Sequence, residues 1–399
     1  MLGGKSVVKL ICMFSAAAAF ALLGFIPTAH SAPQSHGAVY VLTNQPSQNA
    51  VMVFHRNADG SLVAGASFPT GGSGFGSGPN PLSSQGSLIL SGDNRLLFAV
   101  NAGSNSISTF AVAGDTLTLV QTIDSAGTQP VSLTHYHDLV YVLNAGTSPN
   151  ISGFRIVPEA HEGKILEPIA GSTQLLPTGS VAAPAEIAFT PDGSALLVTV
   201  PGANQIVSFP LGKEGKAAVG STLSPTPSAS ATGISGTGPF GLAFSRSIAI
   251  TANTDNGTPQ GGGMSSYVVS PSGGLAPSSS AVPDNQTAST WAIVVEKGAE
   301  KGAIALTTNT MSGTISSYAV EPKSGSLTLT QPVAASLTAQ DGSSLFPAGM
   351  ALSTSGQFLY VRNGANGTVY GFVIQSSGML TPITQASGLP DTAAGIAAR

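Results

Sequence analysis

The chain has 399 residues, of which Asp, Glu, Lys and Arg make up 8%, and its formal net charge is −4. Ordinary domains carry about 25% charged residues, so solubility here rests on Ser, Thr, Asn, Gln and backbone amides. No basic patch is available for nucleic acid or an anionic membrane surface, so neither is expected as a partner.

In chain order, Lys5 and Lys9 precede an apolar run from Leu10 to Ile26, and Ala29-His30-Ser31 supplies the small residues of a cleavage site. Residues 1–31 are therefore expected to be a secretory signal peptide, which makes the protein extracytoplasmic, secreted or periplasmic. An uncleaved anchor helix is the alternative, although the run is short for a full span. Losing Lys5 and Lys9 takes the net charge from −4 to −6, and with Cys12, the only cysteine, the chain loses its only thiol. Disulfides, thiolate metal sites and a cysteine nucleophile are then excluded. No later stretch is long and apolar enough to span a bilayer.

From residue 32 onward one pattern recurs. Apolar runs of the Leu-Tyr-Val-x-Asn kind occur seven times, at 39–44, 96–101, 139–144, 195–200, 247–253, 304–309 and 358–363. Each is followed by a second run ending at Phe54, Phe110, Phe154, Phe209, Tyr267, Tyr318 or Phe372. The spacing between the asparagines runs from 43 residues (Asn101 to Asn144) to 57 (Asn44 to Asn101), with Pro201 standing in for Asn in the fourth copy. A strand-rich repeat of this length predicts propeller blades. A further apolar stretch and a turn precede several copies, as in Ile187-Ala188-Phe189 before Thr190-Pro191-Asp192-Gly193, where Pro fixes one φ and Gly tolerates the positive one. A last turn and short strand follow, as in Ser324-Gly325-Ser326-Leu327. Four strands per repeat in meander order make one blade.

The repeat starts out of phase. The chain enters at a second strand, Val39 to Thr43, and ends on Leu389 to Ala397, which reads as a first strand without a second. The expectation is an all-β, seven-bladed propeller of residues 32–399, its ring closed by amino- and carboxy-terminal strands sharing one blade. Three Gly-, Ser- and Pro-rich segments, 71–81, 212–237 and 255–263, read as loops.

In such a ring the innermost strands begin around one mouth of the central channel, so their first residues are the candidate site. They include Gln85, Gln129, Glu186, Phe240, Thr290 and Trp291. Glu186 is the ionisable one among them and the candidate base. Gln85, Gln129 and Thr290 can donate hydrogen bonds, and Phe240 with Trp291 can wall a ligand or plug the channel. Arg362 stands apart from the other arginines, inside a strand run, facing a neighbouring blade. The alternative for Glu186 is a purely structural role, holding backbone groups at the rim. His135-Tyr136-His137 places two imidazoles on one side of a strand, but in the turn opposite the mouth and without evident further ligands. No metal site and no cofactor are expected.

These runs, together with Phe189-Thr190-Pro191-Asp192-Gly193 and Ser312-Gly313-Thr314-Ile315-Ser316-Ser317-Tyr318, resemble those of the seven-bladed β-propeller lactonase family. That group contains 6-phosphogluconolactonase-like proteins and 3-carboxymuconate cyclases. The resemblance covers essentially the whole chain after the leader and implies a lactonase site at the channel mouth, with His, Arg and Glu around it and often a His after the Pro. Here Val131, Ala185 and Phe240 follow the prolines. The scattered arginines speak against a phosphorylated substrate, which would need clustered cations.

Two functions stay open from the sequence. One is a monomeric hydrolase opening a small, uncharged or weakly charged lactone or sugar derivative. The other is a non-catalytic extracytoplasmic propeller that binds a protein or glycan.

Overall fold

The computed structural model describes residues 36–157, 164–178, 183–218, 222–225, 237–298, 300–337 and 345–399. The expected leader, residues 1–31, lies outside them.

The described chain folds into seven antiparallel sheets, each in simple meander order from the innermost strand outward. We number the blades by their Leu-Tyr-Val strands. Blade 1 contains Gly37–Leu42, Ala50–Arg56 and Leu62–Pro69, and its innermost strand is the carboxy-terminal Ala394–Ala398. Blades 2 to 7 begin at Leu88–Leu90, Pro130–Tyr136, Glu186–Phe189, Pro239–Ser245, Ser289–Glu296 and Pro347–Leu352. In blade 3 the outer edge is split, since Leu166–Pro168 and Gln174–Leu175 both pair with Asn150–Ile156.

Burial explains why the second strands read as unbroken apolar runs. Gly37–Leu42, Ala195–Val200 and Ile248–Asn253 are buried at every position, because neighbouring blades cover both faces. The outer strands face solvent on one side and alternate, as in Leu327–Ser336.

The Tyr and Asn of the repeat have separate tasks. Tyr40, Tyr141 and Tyr360 each donate from the hydroxyl to a carbonyl in the outer hairpin of the next blade, at Gly114 (3.3 Å), Gly215 (2.7 Å) and Gly60 (2.8 Å). The last of these joins blade 7 to blade 1. The asparagines instead tie the second strands that carry them to their surroundings at the channel-mouth end. Asn309 is fully buried; its Nδ2 donates to Thr314 and Ser316, and its Oδ1 accepts from Ser289. Asn101 repeats the arrangement with Ser106, Ser108 and Thr70.

Ring closure follows the phase of the repeat. Val39 pairs with Ala398, Tyr40 with Ala397 and Val41 with Ile396. The Thr392 hydroxyl donates to Thr43 O at 2.8 Å, and Asn44 Nδ2 donates back to Thr392 O at 3.2 Å.

One loop assignment needs correction. Within 212–237, Thr222–Pro225 pairs with Gln205–Ser208 as the outermost strand of blade 4. Its Thr-Leu-Ser-Pro sequence, set among Ser, Thr and Pro, carries too little periodicity to distinguish it from its flanks, and the neighbouring strand supplies the register.

Candidate active site at the channel mouth

Several innermost strands start with a bulge. The pairing register shifts between Pro239 and Leu242, between Ser289 and Ala292, and between Pro347 and Met350. A bulge takes residues out of the ladder and re-aims their peptide groups. Here it turns the N–H groups of Leu242 and Ala292 toward side chains of other blades.

Leu242 N donates to Glu186 Oε2 at 2.6 Å, and Ala292 N donates to Gln85 Oε1 at 2.9 Å. Gln85 Nε2 in turn donates to Glu186 Oε1 at 3.1 Å, to Ala292 O at 2.9 Å and to Leu242 O at 3.4 Å. One carboxamide thus joins three blades, 4, 5 and 6. Gly241 makes this approach possible, because a Cβ there would stand 2.5 Å from Ala292 N and 2.6 Å from Gln85 Oε1. Such distances are closer than side-chain atoms tolerate, so the position calls for glycine.

Glu186 is buried, and loss of hydration pushes its carboxyl well above the usual carboxylate range. The N–H donors from Leu242 and Gln85 pull in the opposite direction. A carboxyl so placed holds its proton to a higher pH than a surface glutamate does.

The apolar wall lies close to it in the fold. The Phe240 and Trp291 rings have centroids 5.2 Å apart at 60°, and they belong to one buried cluster with Ala185, Leu345 and Ala348. Ala185, Phe240 and Ala348 directly follow the strand-initiating prolines Pro184, Pro239 and Pro347.

The remaining candidates are held elsewhere. Thr290 is buried, and its hydroxyl lies 3.2 Å from that of Thr308 within blade 6. Gln129 is half-buried in a left-handed conformation (φ 55°), its backbone N–H bound by Asn105 Oδ1 at 2.8 Å. Arg362 is buried on the second strand of blade 7 and donates from both terminal nitrogens, at 3.3 Å each, to the carbonyl of Pro79. Among the described residues its Nε has no hydrogen-bond partner, and burial lowers its pKa to about 9, so it remains a cation at neutral pH. It clears its own inner strand beside Gly349, whose φ of +143° is open to glycine.

His135 lies on its strand and stacks on Phe98 at 5.9 Å, whereas His137 sits in the following turn with its ring edge-on to Tyr136. Among the described residues no group of three or more His, Cys, Asp or Glu side chains converges as metal ligands would.

Sequence reasoning found Glu186 and Gln85 but missed the N–H groups of Leu242 and Ala292. The signal was present in Phe240-Gly241-Leu242, since a glycine inside an apolar strand marks a bulge or a close backbone approach. It missed Pro79 as well, whose contribution is a carbonyl and carries no side-chain signature.

Comparison with known proteins agrees with this architecture. A protein of Lactobacillus plantarum has 17% identity and a TM-score of 0.67, over 91% of this chain and 99% of that one. The periplasmic gluconolactonase of Pseudomonas aeruginosa has 17% identity and a TM-score of 0.61, over 91% and 98%. A Bacteroides fragilis protein provisionally named a 6-phosphogluconolactonase has 18% identity and a TM-score of 0.60, over 92% and 99%. No functionally curated protein matches the chain. The family described as "Lactonase, 7-bladed beta-propeller" matches residues 30–174 and 180–389. With blades, ring closure and family match in agreement, the chain belongs to the seven-bladed β-propeller lactonase family.

Proposed function

We propose that the protein hydrolyses a small lactone at the channel mouth, with Glu186 as the group that moves protons. The observation that carries this reading is the buried Glu186 carboxyl, raised above its ordinary range, at the start of an innermost strand beside an apolar wall. In its ionised form Glu186 takes a proton from water as the water oxygen bonds to the acyl carbon. The ring C–O bond then breaks, and the same proton passes to the departing ring oxygen to give a hydroxy acid. Atoms balance without a cofactor. Backbone N–H groups at the bulges, Ala292 above all, are suited to hold the developing oxyanion.

Among the described residues Arg362 forms no ion pair, and its hydrogen bonds go to one carbonyl. That favours a compact substrate without a phosphate, such as a neutral or weakly charged lactone or sugar derivative. The apolar amino-terminal run supports an extracytoplasmic location as part of the same reading. Among the described residues no helix is long and apolar enough to cross a membrane.

The test is turnover on a panel running from δ-gluconolactone to aliphatic γ- and δ-lactones, with Glu186→Gln alongside. A positioned acid–base group contributes about 10²- to 10⁴-fold, so the variant should lose at least ~100-fold in kcat/KM. Equal turnover by the variant, or none by the wild type across the panel, would remove Glu186 and lactone hydrolysis respectively from the account.

A further inference from the structure

The connection between blades 1 and 2 does not take the short way round. At its start, Phe75 exchanges bonds with Asn44 of blade 1, its N–H reaching Asn44 Oδ1 at 3.0 Å and its carbonyl accepting Asn44 Nδ2 at 2.7 Å. Next it reaches blade 7, where the Pro79 carbonyl takes both terminal nitrogens of Arg362. It then meets blades 3 and 4: the Ser84 hydroxyl donates to Val131 O (2.7 Å), Gln85 N donates to Ala185 O (3.0 Å) and Gly86 O accepts from Leu133 N (2.9 Å). Through its side chain Gln85 also touches blades 5 and 6. The segment 74–87 therefore bonds to residues of six blades before blade 2 begins at Leu88. It is a strap across the channel mouth.

The groups it engages are those the proposed chemistry needs. A carboxamide has the planar carbonyl geometry of an ester. Its Oε1 sits on the Ala292 N–H, where an acyl oxygen would be held, and its nitrogen sits on Glu186, where water or the ring oxygen would exchange a proton. At the other end, the buried Arg362 guanidinium is served by the Pro79 carbonyl, and among the described residues its Nε has no partner. The outer arc of the strap is lightly packed, whereas Leu82, Ser84 and Ser87 at its Gln85 end are buried. Phe75, Gly76, Ser77 and Pro79 are exposed, Phe75 at 43% despite its size. Gly76 and Gly78 hold positive φ (81° and 88°) with little packed around them.

We propose that the Gln85 carboxamide occupies the seat of the substrate's ester group, and that the 74–87 strap must lift before a lactone binds. Gln85 is then a specificity-determining occupant, and the seat admits a compact, neutral cyclic ester or amide. This rests on reading the mouth as a lactone-hydrolysing site.

The probe is δ-valerolactam, a cyclic amide that keeps the lactone's shape but resists hydrolysis. Trp291 is the only tryptophan, so its fluorescence reports on the mouth directly. If the strap is closed about nine-tenths of the time, removing the occupant raises apparent affinity roughly 10-fold. Gln85→Ala should therefore bind the lactam about 10-fold more tightly than wild type. Equal or weaker binding, or binding by neither protein, would overturn the proposal. If Gln85→Ala shows no cooperative melting, Arg362→Met replaces it. That variant frees the strap at Pro79 and should also bind more tightly, and unchanged affinity there would be contrary. The two readings separate cleanly. Glu186-dependent lactone turnover without tighter lactam binding removes the strap and leaves the hydrolase. Tighter lactam binding without turnover on any lactone leaves the seat and removes the hydrolase.

Discussion

Glu186 is subject to two opposing influences, and their balance sets what it can do. Burial disfavours its charged form, while the Leu242 and Gln85 N–H donors favour it. Burial is the larger, so the proton is held to a higher pH than on a surface glutamate. A base with a raised pKa is a stronger proton acceptor once ionised, and it becomes available only as pH climbs through that raised value. The same sign applies to stability. The unfolded carboxyl loses its proton first, so Glu186 contributes most to stability in acid, and that contribution is lost as pH rises toward the folded pKa. Arg362 is a different case. It has no acid among its bonds, only the Pro79 carbonyl, and its position suits a group that holds a covering segment rather than one that polarises a bond.

At the scale of the strand, the repeat is a set of hydrogen-bonding devices as much as an apolar pattern. Asn309 satisfies buried hydroxyls on two strands at once. Replacing it with Ala removes three hydrogen bonds from a dry site, each worth about 0.5–1.5 kcal/mol, while Ser289, Thr314 and Ser316 keep Asp284, Gln286 and Pro332 as partners. Asn309→Ala should therefore lower unfolding free energy by roughly 2–4 kcal/mol, read from urea denaturation. A change within ~0.5 kcal/mol, typical of surface positions, would show that the asparagine is incidental. These strands were legible because their signal is local. Leu-Tyr-Val-x-Asn states burial on both faces and a polar stop in five residues. The outer strand Thr222–Pro225 was not, since its pairing with Gln205–Ser208 is supplied by its neighbour. For the same reason Gln85 and Glu186 could be named as candidates but not paired. They are 101 residues apart, and the bulges that aim Leu242 and Ala292 at them are geometric facts. Thr290 was named on its position alone, and packing inside blade 6 turns its hydroxyl to Thr308.

For the whole molecule, the decisive contact is where the ring closes. The strand Ala394–Ala398 completes blade 1, and with it go the Thr392 bonds to Thr43 and Asn44 and the packing of Ile396 against the blade 1 and blade 7 core. A closed ring leaves no long unpaired edge, whereas an open one exposes the second strand of blade 1. Deleting residues 388–399 should lower the melting temperature by on the order of 10 °C or more, given that each kcal/mol is worth about 2–4 °C in a large domain. An unchanged melting temperature would mean that the ring does not depend on this strand. Closure also fixes the spacing of the inner strands, so the seat formed by Glu186, Leu242 and Ala292 depends on the ring as a whole.

The most direct measurement of the central claim is the pH profile of kcat/KM for a δ-lactone, with spontaneous hydrolysis subtracted. The account predicts a rate that rises with pH through a single ionisation placed clearly above the ordinary glutamate range, with that limb absent in Glu186→Gln. A limb at the ordinary carboxylate pKa, or one that persists unchanged in Glu186→Gln, would contradict a buried Glu186 as the proton-transferring group.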